Sequence, residues 1–185
     1  MTRLWLVRHG PTHAKTMVGW SDLPADLSDH AAIARLNAHL PADAPVLSSD
    51  LSRAVATADT LAPRPRLPHD PDWRELNFGA WELQPWDRIE DQAAARAFWD
   101  DPGDTCPPGG ESWNRLTARV HAAIGRLSDR PEVIVVAHFG PIVAALQLAE
   151  GLSPLAAFAH RIDPLSVTCI DFGSTCAVRA INHIA

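Results

Sequence analysis

Residues 4–10, LWLVRHG, constrain the fold of this chain more than any other stretch. The first four residues are a continuous apolar run, which is typical of a strand covered on both faces of a sheet. Arg8, His9 and Gly10 follow without a gap, so a guanidinium and an imidazole are placed where a buried strand ends. A second apolar run, residues 133–137, leads in the same way into His138. We therefore expect His9 and His138 to meet at one edge of a sheet.

The spacing of apolar and turn-forming residues predicts short strands that alternate with helices. Further strands are predicted at residues 46–49, 166–172 and 176–181, the last two as a hairpin. Helices are predicted over residues 28–40, from Ser49 or Asp50 to about residue 61, and over 86–99, 113–129, 141–150 and 154–160. Residues 1–185 are expected to form one three-layer α/β domain, in which ligands bind beyond the carboxyl ends of the strands.

Composition narrows the expected partners and location. The net charge of −6 disfavours attraction to nucleic acid or to anionic membranes, and we expect neither as a partner. No apolar run approaches the roughly 20 residues that a membrane span needs. The three cysteines are odd in number and lack CxxC spacing, and the first residues do not resemble a signal peptide, so a cytoplasmic protein is expected.

Two arginines and two histidines at one sheet edge would form an anion site the size of a phosphate. Arg8 and Arg53 supply forked donors for phosphate oxygens, and their charge disfavours protonation of a nearby imidazole. A neutral His9 could then attack phosphorus in line, while His138 donates to the phosphate oxygens. Glu75 lies in an irregular segment and is the candidate acid that protonates the leaving alkoxide, which requires a raised pKa.

Five sequence blocks, in this order along the chain, resemble the histidine phosphatase superfamily, the phosphoglycerate-mutase-like group. They are LVRHG at 6–10, SSDLSRAVATADTL at 48–61, WRELNFGAWE at 73–82, PGGESW at 108–113 and VVAHFG at 135–140. The resemblance implies a mixed, mainly parallel sheet flanked by helices, and catalysis without a metal or other cofactor. It also implies that His9 is phosphorylated during turnover, that Arg53 is the arginine of the second block and that Glu75 is the proton donor.

The chain departs from the family pattern at three positions. Pro11 stands where mutases and many phosphatases have an acidic residue, and Lys15 stands where they usually have asparagine. Phe139 follows the second histidine, where glycine is frequent. Lys15 is either a phosphate ligand, acting as a point charge, or a mobile loop cation.

The expected partner is a small-molecule phosphate monoester, bound by a monomer or a homodimer. Hydrolysis is favoured over transfer, because 185 residues leave little room for the inserts with which mutases shield a phosphoenzyme from water. FGAWE at 78–82 and HRIDPLSVTCIDF at 160–172 resemble the α-ribazole phosphatases of cobalamin synthesis, so α-ribazole 5′-phosphate is a candidate substrate. The alternatives are mutase-type phosphoryl transfer, a non-catalytic relative that binds a phosphorylated ligand, and a metal-dependent hydrolase.

Two further features of the sequence concern the surroundings of this site. Glu82 is expected to order its own loop. Trp20, Trp81 and Trp86 are candidates to face a ring-bearing substrate, and packing is the alternative for all three.

Overall fold

The computed structural model describes all 185 residues, as one five-stranded sheet with helices on both faces. The strands are β1 (Thr2–Arg8), β2 (Val46–Ser48), β3 (Glu132–Ala137), β4 (Val167–Phe172) and β5 (Ala177–His183). The helices are α1 (His30–His39), α2 (Ser52–Asp59), α3 (Gln92–Asp100), α4 (Trp113–Arg126), α5 (Phe139–Glu150) and α6 (Pro154–Ala157). None of these helices combines the length and the apolar character needed to cross a membrane.

Strand β1 lies at the centre of the sheet, whose order is β2-β3-β1-β4-β5. Strands β1, β2 and β3 are parallel, whereas β4 is antiparallel to both of its neighbours, and the predicted hairpin is the β4–β5 pair. The predicted mixed, mainly parallel α/β fold is therefore confirmed. Arg8 at the end of β1 lies beside Ala137 at the end of β3, so the next residues, His9 and His138, leave the sheet at the same edge.

The strands are buried because apolar cores cover both faces of the sheet. Leu4 and Leu6 pack into the larger core, which includes the buried faces of α4 and α5. Val7 packs into the smaller core, together with residues of α1 and α2. Burial on both faces accounts for the continuous apolar run of β1. Because helices cover both faces, the carboxyl edge of the parallel strands remains the side where loops can build a ligand site.

Helix α2 corrects one prediction about the start of a helix. Its N-cap is Leu51, without a side-chain hydrogen bond, rather than Ser49 or Asp50. The Asp50 carboxylate pairs instead with the guanidinium of Arg74, at 2.7 and 2.6 Å. The Ser49 hydroxyl accepts the N–H of Leu51 at 3.2 Å and otherwise faces the edge of the sheet. Both side chains are therefore engaged in tertiary contacts that local sequence does not reveal.

The helix predicted over residues 86–99 is shorter in the structure. Residues Trp86–Arg88 form a separate 3-10 turn, and α3 begins only at Gln92. Between them Ile89 is buried with an extended backbone, which interrupts the helical path. Asp91 then caps α3, since its side chain accepts the N–H of Ala94 at 2.8 Å.

Two other helices begin at residues that differ from those predicted. Helix α1 begins at His30 rather than at residue 28, because the Asp29 carboxylate caps it by accepting the N–H of Ala32 at 2.9 Å. Helix α5 begins at Phe139, two residues before the predicted start at Pro141.

Candidate active site

His9 and His138 lie together at the carboxyl edge of the sheet. The His9 N–H donates to the carbonyl of Ala137 at 3.0 Å, which extends the pairing of β1 and β3 by one residue. The two imidazole centroids are 4.9 Å apart and their planes are tilted by 59°. Both side chains are nearly completely buried. Two strand ends thus bring together residues that are far apart in the sequence.

The surroundings of His9 favour a neutral ring with one free nitrogen. Its Nδ1 lies 2.7 Å from the carbonyl oxygen of Gly10, an acceptor, so Nδ1 carries the hydrogen and Nε2 keeps its lone pair. Burial, followed by the charges of Arg53 and Arg8, lowers the pKa of His9 to about 3. At neutral pH the ring is therefore unprotonated at Nε2, the state in which an imidazole is a nucleophile.

His138 has the opposite arrangement of its two nitrogens. Its Nε2 lies 2.9 Å from the Ser49 hydroxyl oxygen, whereas its buried Nδ1 has no partner. Ser49 accepts the N–H of Leu51 and has a proton of its own, so it can donate to Nε2 of the tautomer that carries its hydrogen on Nδ1. Burial is also the main reason that the pKa of His138 lies well below its ordinary value. An uncharged N–H donor without a partner suits an anionic oxygen atom of a ligand.

The two predicted arginines are both held by backbone carbonyls. Arg53, on the first turn of α2, donates to the carbonyls of Ser21 and Gly19 at 2.8 and 2.6 Å. Arg8 donates to the carbonyl of Ile162 at 2.5 Å, and its buried Nε has no partner. Burial lowers the pKa of both, yet a guanidinium stays charged at neutral pH. Each keeps N–H groups that the protein does not use, which suits a bound anion.

Glu75 is a buried carboxyl group with one oxygen held and one free. Its Oε1 accepts the N–H groups of Leu76 and Gly140, each at 2.9 Å, and Oε2 has no hydrogen-bond partner. Burial raises the pKa of Glu75, although these N–H groups and the charges of Arg8 and Arg53 act in the opposite direction. A carboxyl group with a raised pKa and a free oxygen, close enough to Arg8 and Arg53 to be affected by their charges, is suited to proton transfer.

A short loop, residues 19–21, holds Arg53 in place, and we name it the Arg53 strap. The Glu82 carboxylate accepts the three N–H groups of the strap at 2.7 to 3.2 Å and that of Phe78 at 3.1 Å. Through Phe78, Glu82 orders its own loop as expected, and through the strap it also orders a segment more than 60 residues earlier in the chain. A Cβ atom on Gly19 would lie 2.0 Å from the carbonyl oxygen of Leu76, so only glycine fits there.

Arg119 supports the site, and reasoning from the sequence missed it. From α4 it forms a bidentate pair with Glu111, at 2.7 and 2.9 Å. It also donates to the carbonyls of Asp72 and Arg74 at 2.7 Å, and to that of Glu75 at 2.9 Å. One arginine therefore fixes the backbone that presents Glu75. The sequence does contain one indication of this role. Arg119 lies on the helix beside the apolar positions 116 and 120, so helical spacing puts it at the border of the buried face.

The remaining candidates are Lys15 and three tryptophans, and their surroundings differ. Lys15 is exposed on the loop after β1 and its side chain forms no hydrogen bond within the protein, so its part in phosphate binding stays a prediction. Trp81 is buried with its ring centroid 5.7 Å from that of Phe98, whereas Trp86 is exposed on its own turn. Trp20 is 39% exposed, and its indole N–H donates to the carbonyl of Glu75 at 2.8 Å.

Comparison with known proteins places this geometry in a family. The model of the histidine phosphatase superfamily (branch 1) matches residues 4–182. An adenosylcobalamin/α-ribazole phosphatase of Salmonella typhimurium is 34% identical over 184 residues, covering 91% of this chain and 90% of that protein. The structure of the α-ribazole phosphatase from Shigella flexneri matches with a TM-score of 0.81 at 25% identity, covering 99% of this chain and 97% of that one. The phosphoglycerate mutase from Thermus thermophilus matches with a TM-score of 0.77 at 31% identity, covering 99% of both chains.

Proposed function

The chain belongs to branch 1 of the histidine phosphatase superfamily and is a phosphatase, and from this premise we propose that it hydrolyses a small-molecule phosphate monoester through a phosphohistidine on His9. The observation that supports this most directly is the state of His9. Its Nδ1 is engaged by the Gly10 carbonyl, and its lowered pKa keeps Nε2 free to attack. A ring held in the other tautomer, or protonated, would have no lone pair facing the ligand.

In the first step, His9 Nε2 forms a bond to phosphorus while the bond from phosphorus to the alcohol oxygen breaks. Arg8 and Arg53 hold the equatorial oxygens, and the Nδ1–H of His138 donates to one of them. Glu75 gives its proton to the departing oxygen, so that the alcohol leaves neutral. The products of this step are the free alcohol, phospho-His9 and the Glu75 carboxylate.

In the second step, the Glu75 carboxylate takes a proton from a water molecule as the water oxygen bonds to phosphorus. The phosphorus–nitrogen bond of phospho-His9 breaks, and the lone pair returns to Nε2. Inorganic phosphate leaves, and both His9 and Glu75 are restored to their starting states. The same carboxyl group thus serves as acid and then as base, as microscopic reversibility requires.

Among candidate substrates, α-ribazole 5′-phosphate has the most support, because proteins named for its hydrolysis match this chain over almost their full length. Phosphoglycerate-type transfer is the second candidate, and the match to a phosphoglycerate mutase supports it. The two reactions differ in the fate of the phosphoryl group, which passes to water in one and to a second alcohol in the other.

The experiment that tests the proposal is a phosphate-release screen in EDTA. The panel contains α-ribazole 5′-phosphate, ribose 5-phosphate, phosphoglycerates and p-nitrophenyl phosphate. The protein is assayed as wild type, as His9→Ala and as His30→Ala, the last a matched control because His30 is exposed at the start of α1. Wild type and His30→Ala are expected to release phosphate, and His9→Ala is expected to release none. A wild-type reaction quenched in alkali should retain phosphate on the protein, since phosphohistidine survives alkali.

Four outcomes would contradict the proposal in different ways. Turnover by His9→Ala would remove His9 as the nucleophile. Activity that EDTA abolishes and a divalent cation restores would favour metal-dependent hydrolysis. Phosphoryl transfer between phosphoglycerates without release of phosphate would favour the mutase. Tight binding of a panel compound by folded wild type, without any turnover, would indicate a non-catalytic binding protein.

A further inference from the structure

Three hydrogen bonds hold His9 and the peptide that follows it, and one of them is made by a side chain. The N–H of His9 donates to the carbonyl of Ala137 at 3.0 Å, and Nδ1 of its ring lies 2.7 Å from the carbonyl oxygen of Gly10. The N–H of Gly10 donates to the hydroxyl oxygen of Thr57 at 3.0 Å. Ala137 and Gly10 contribute backbone carbonyls, which every residue possesses. Thr57 therefore makes the one contact of the three that depends on the identity of the partner's side chain.

The orientation of the Thr57 hydroxyl is fixed by its two partners. Its Oγ1 lies 2.7 Å from the carbonyl oxygen of Arg53, which can only accept, so the hydroxyl proton points there. The N–H of Gly10 can only donate, so a lone pair of Oγ1 accepts it. Thr57 and Gly10 are both buried. One hydroxyl group thus joins the backbone of Arg53 to the residue that follows His9.

Gly10 is also held by packing against a second segment. A Cβ atom on Gly10 would lie 2.7 Å from Cδ2 of Leu27 and 3.1 Å from the carbonyl oxygen of Asp26. Pro11 comes next, with its φ fixed by the ring, and its carbonyl accepts the N–H of Asp26 at 2.7 Å. Gly10 is therefore confined by packing against residues 26–27 and is tied to α2 by the hydroxyl of Thr57.

We infer that Thr57 is a positioning residue for phosphoryl transfer: by holding Gly10 it fixes the His9 ring relative to Arg53, so that Nε2 meets the phosphorus atom in line. This inference rests on the proposed function, because it takes His9 as the nucleophile and Arg53 as a ligand of the phosphoryl group. Thr57 acts through Gly10 and takes no part in the chemistry itself. A misplacement of about 1 Å can lower a rate roughly 100-fold, so one buried hydrogen bond beside a nucleophile can control the chemical step.

Thr57→Val tests this role, because valine keeps the shape of threonine and removes the hydroxyl. The buried N–H of Gly10 then loses its acceptor. We expect the rate of phospho-His9 formation, measured by rapid quench with p-nitrophenyl phosphate, to fall roughly 10- to 100-fold. The dissociation constant of inorganic phosphate, measured by calorimetry, should change little, since Arg8 and Arg53 keep their own carbonyl partners. Thr57→Ser retains the hydroxyl and should retain most of the rate.

Thr117→Val is the matched control. Thr117 is also a buried threonine on a helix, and its hydroxyl donates to the carbonyl of Asn114 at 3.0 Å. Its hydroxyl forms no hydrogen bond with His9, Gly10 or Arg53. Thr117→Val therefore reports the effect of removing a buried helical hydroxyl on stability, and its rate of phospho-His9 formation should stay close to that of wild type.

Four results would overturn the inference. The first is a wild-type rate in Thr57→Val. The second is an equal loss in Thr57→Ser and Thr57→Val, because packing of the methyl group, rather than the hydroxyl, would then be what matters. The third is a loss in Thr57→Val that weaker phosphate binding accounts for completely, which would place the effect on the anion site instead of the nucleophile. The fourth is an equal loss in Thr117→Val.

An NMR measurement separates this inference from the proposed function. The ¹⁵N chemical shifts of His9 are measured without turnover, and they report the bond from Nδ1 to the Gly10 carbonyl. Wild type should show the hydrogen on Nδ1, and the shifts in Thr57→Val should move towards those of a mixture of tautomers. That result supports the role of Thr57 even if wild type forms no phospho-His9. His9 shifts that are identical in wild type and Thr57→Val would contradict the role of Thr57 whatever the kinetic assay gives.

Discussion

The Ser49 hydroxyl oxygen lies 2.9 Å from Nε2 of His138, although 89 positions separate the two residues in the chain. This contact joins the residue after β2 to the residue after β3. When the Ser49 hydroxyl donates its proton to Nε2, the ring hydrogen of His138 is on Nδ1. The donor that His138 offers to a phosphate oxygen therefore depends on a serine that has no role in the chemistry itself.

We expect Ser49→Ala to lower kcat/KM by roughly 10- to 100-fold, since it leaves a buried imidazole nitrogen unpaired and the tautomer unselected. Ser49→Thr retains the hydroxyl and should retain most of the activity. The ¹⁵N chemical shifts of His138 should indicate hydrogen on Nδ1 in wild type and a mixture of tautomers in Ser49→Ala. Ser128→Ala, at an exposed serine, is the control. Unchanged shifts in Ser49→Ala would exclude this role.

Replacing Glu75 by Gln should affect substrates according to their leaving group. A poor leaving group such as an alkyl alcohol needs the proton of Glu75, so its turnover should fall roughly 10²–10⁴-fold. The p-nitrophenolate anion leaves without a proton, and its release in the first step should fall much less. Rapid-quench measurement of the first turnover separates that step from hydrolysis of phospho-His9. Equal losses for both substrates would assign Glu75 a structural role.

The same variant reveals the pH dependence that Glu75 imposes. Because burial raises its pKa, the acid form of Glu75 persists to higher pH than that of an ordinary glutamate and is lost as the pH rises through that raised value. Dividing the wild-type profile of kcat/KM by that of Glu75→Gln cancels the ionisation of the substrate. We expect this quotient to fall on the alkaline side and to be flat on the acid side. A quotient that does not change with pH would contradict the assignment.

The buried neutral His9 links stability to pH. An unfolded histidine titrates near pH 6.5, whereas the pKa of folded His9 is about 3. The unfolded state therefore binds the proton first, so the contribution of His9 to stability is complete above about pH 6.5 and is lost progressively as the pH falls towards 3. The urea midpoint of wild type should fall between pH 7 and pH 4, and should fall less in His9→Gln. Parallel curves for the two proteins would show that His9 is not the group responsible.

Glu82 should act on catalysis through the Arg53 strap. Glu82→Gln removes an anionic acceptor shared by four N–H groups, so the strap carbonyls hold Arg53 less firmly. We expect kcat/KM to fall roughly tenfold. In the double variant Glu82→Gln,Arg53→Lys, the fold-decrease in kcat/KM should be smaller than the product of the two single decreases, because both changes disturb one network. Glu90→Gln, at an exposed glutamate, is the control, and fully multiplicative losses would show that the two residues act independently.

The sequence by itself determined the elements that carry the chemistry. The apolar runs before His9 and His138 are strands because continuous burial on both faces requires such runs, and parallel pairing then brings their ends to one edge. Arg53 lies on the first turn of a helix, as its spacing predicted, even though the N-cap differs. These features depend on residues close together in the chain, and local periodicity is enough to predict them.

Only the tertiary structure decided how those groups are held. The local sequence predicts that a helix starts at Ser49 or Asp50, but folding places Ser49 against His138. Arg119 holds three carbonyls of another segment, and Glu82 binds N–H groups more than 60 residues away, which no periodicity encodes. The exposed side chain of Lys15 forms no hydrogen bond within the protein, so neither the sequence nor the fold assigns it a partner. A hydrogen bond between distant segments requires only that two polar groups meet at the right distance. The sequence therefore shows which polar groups are present, and the tertiary structure alone determines which of them pair.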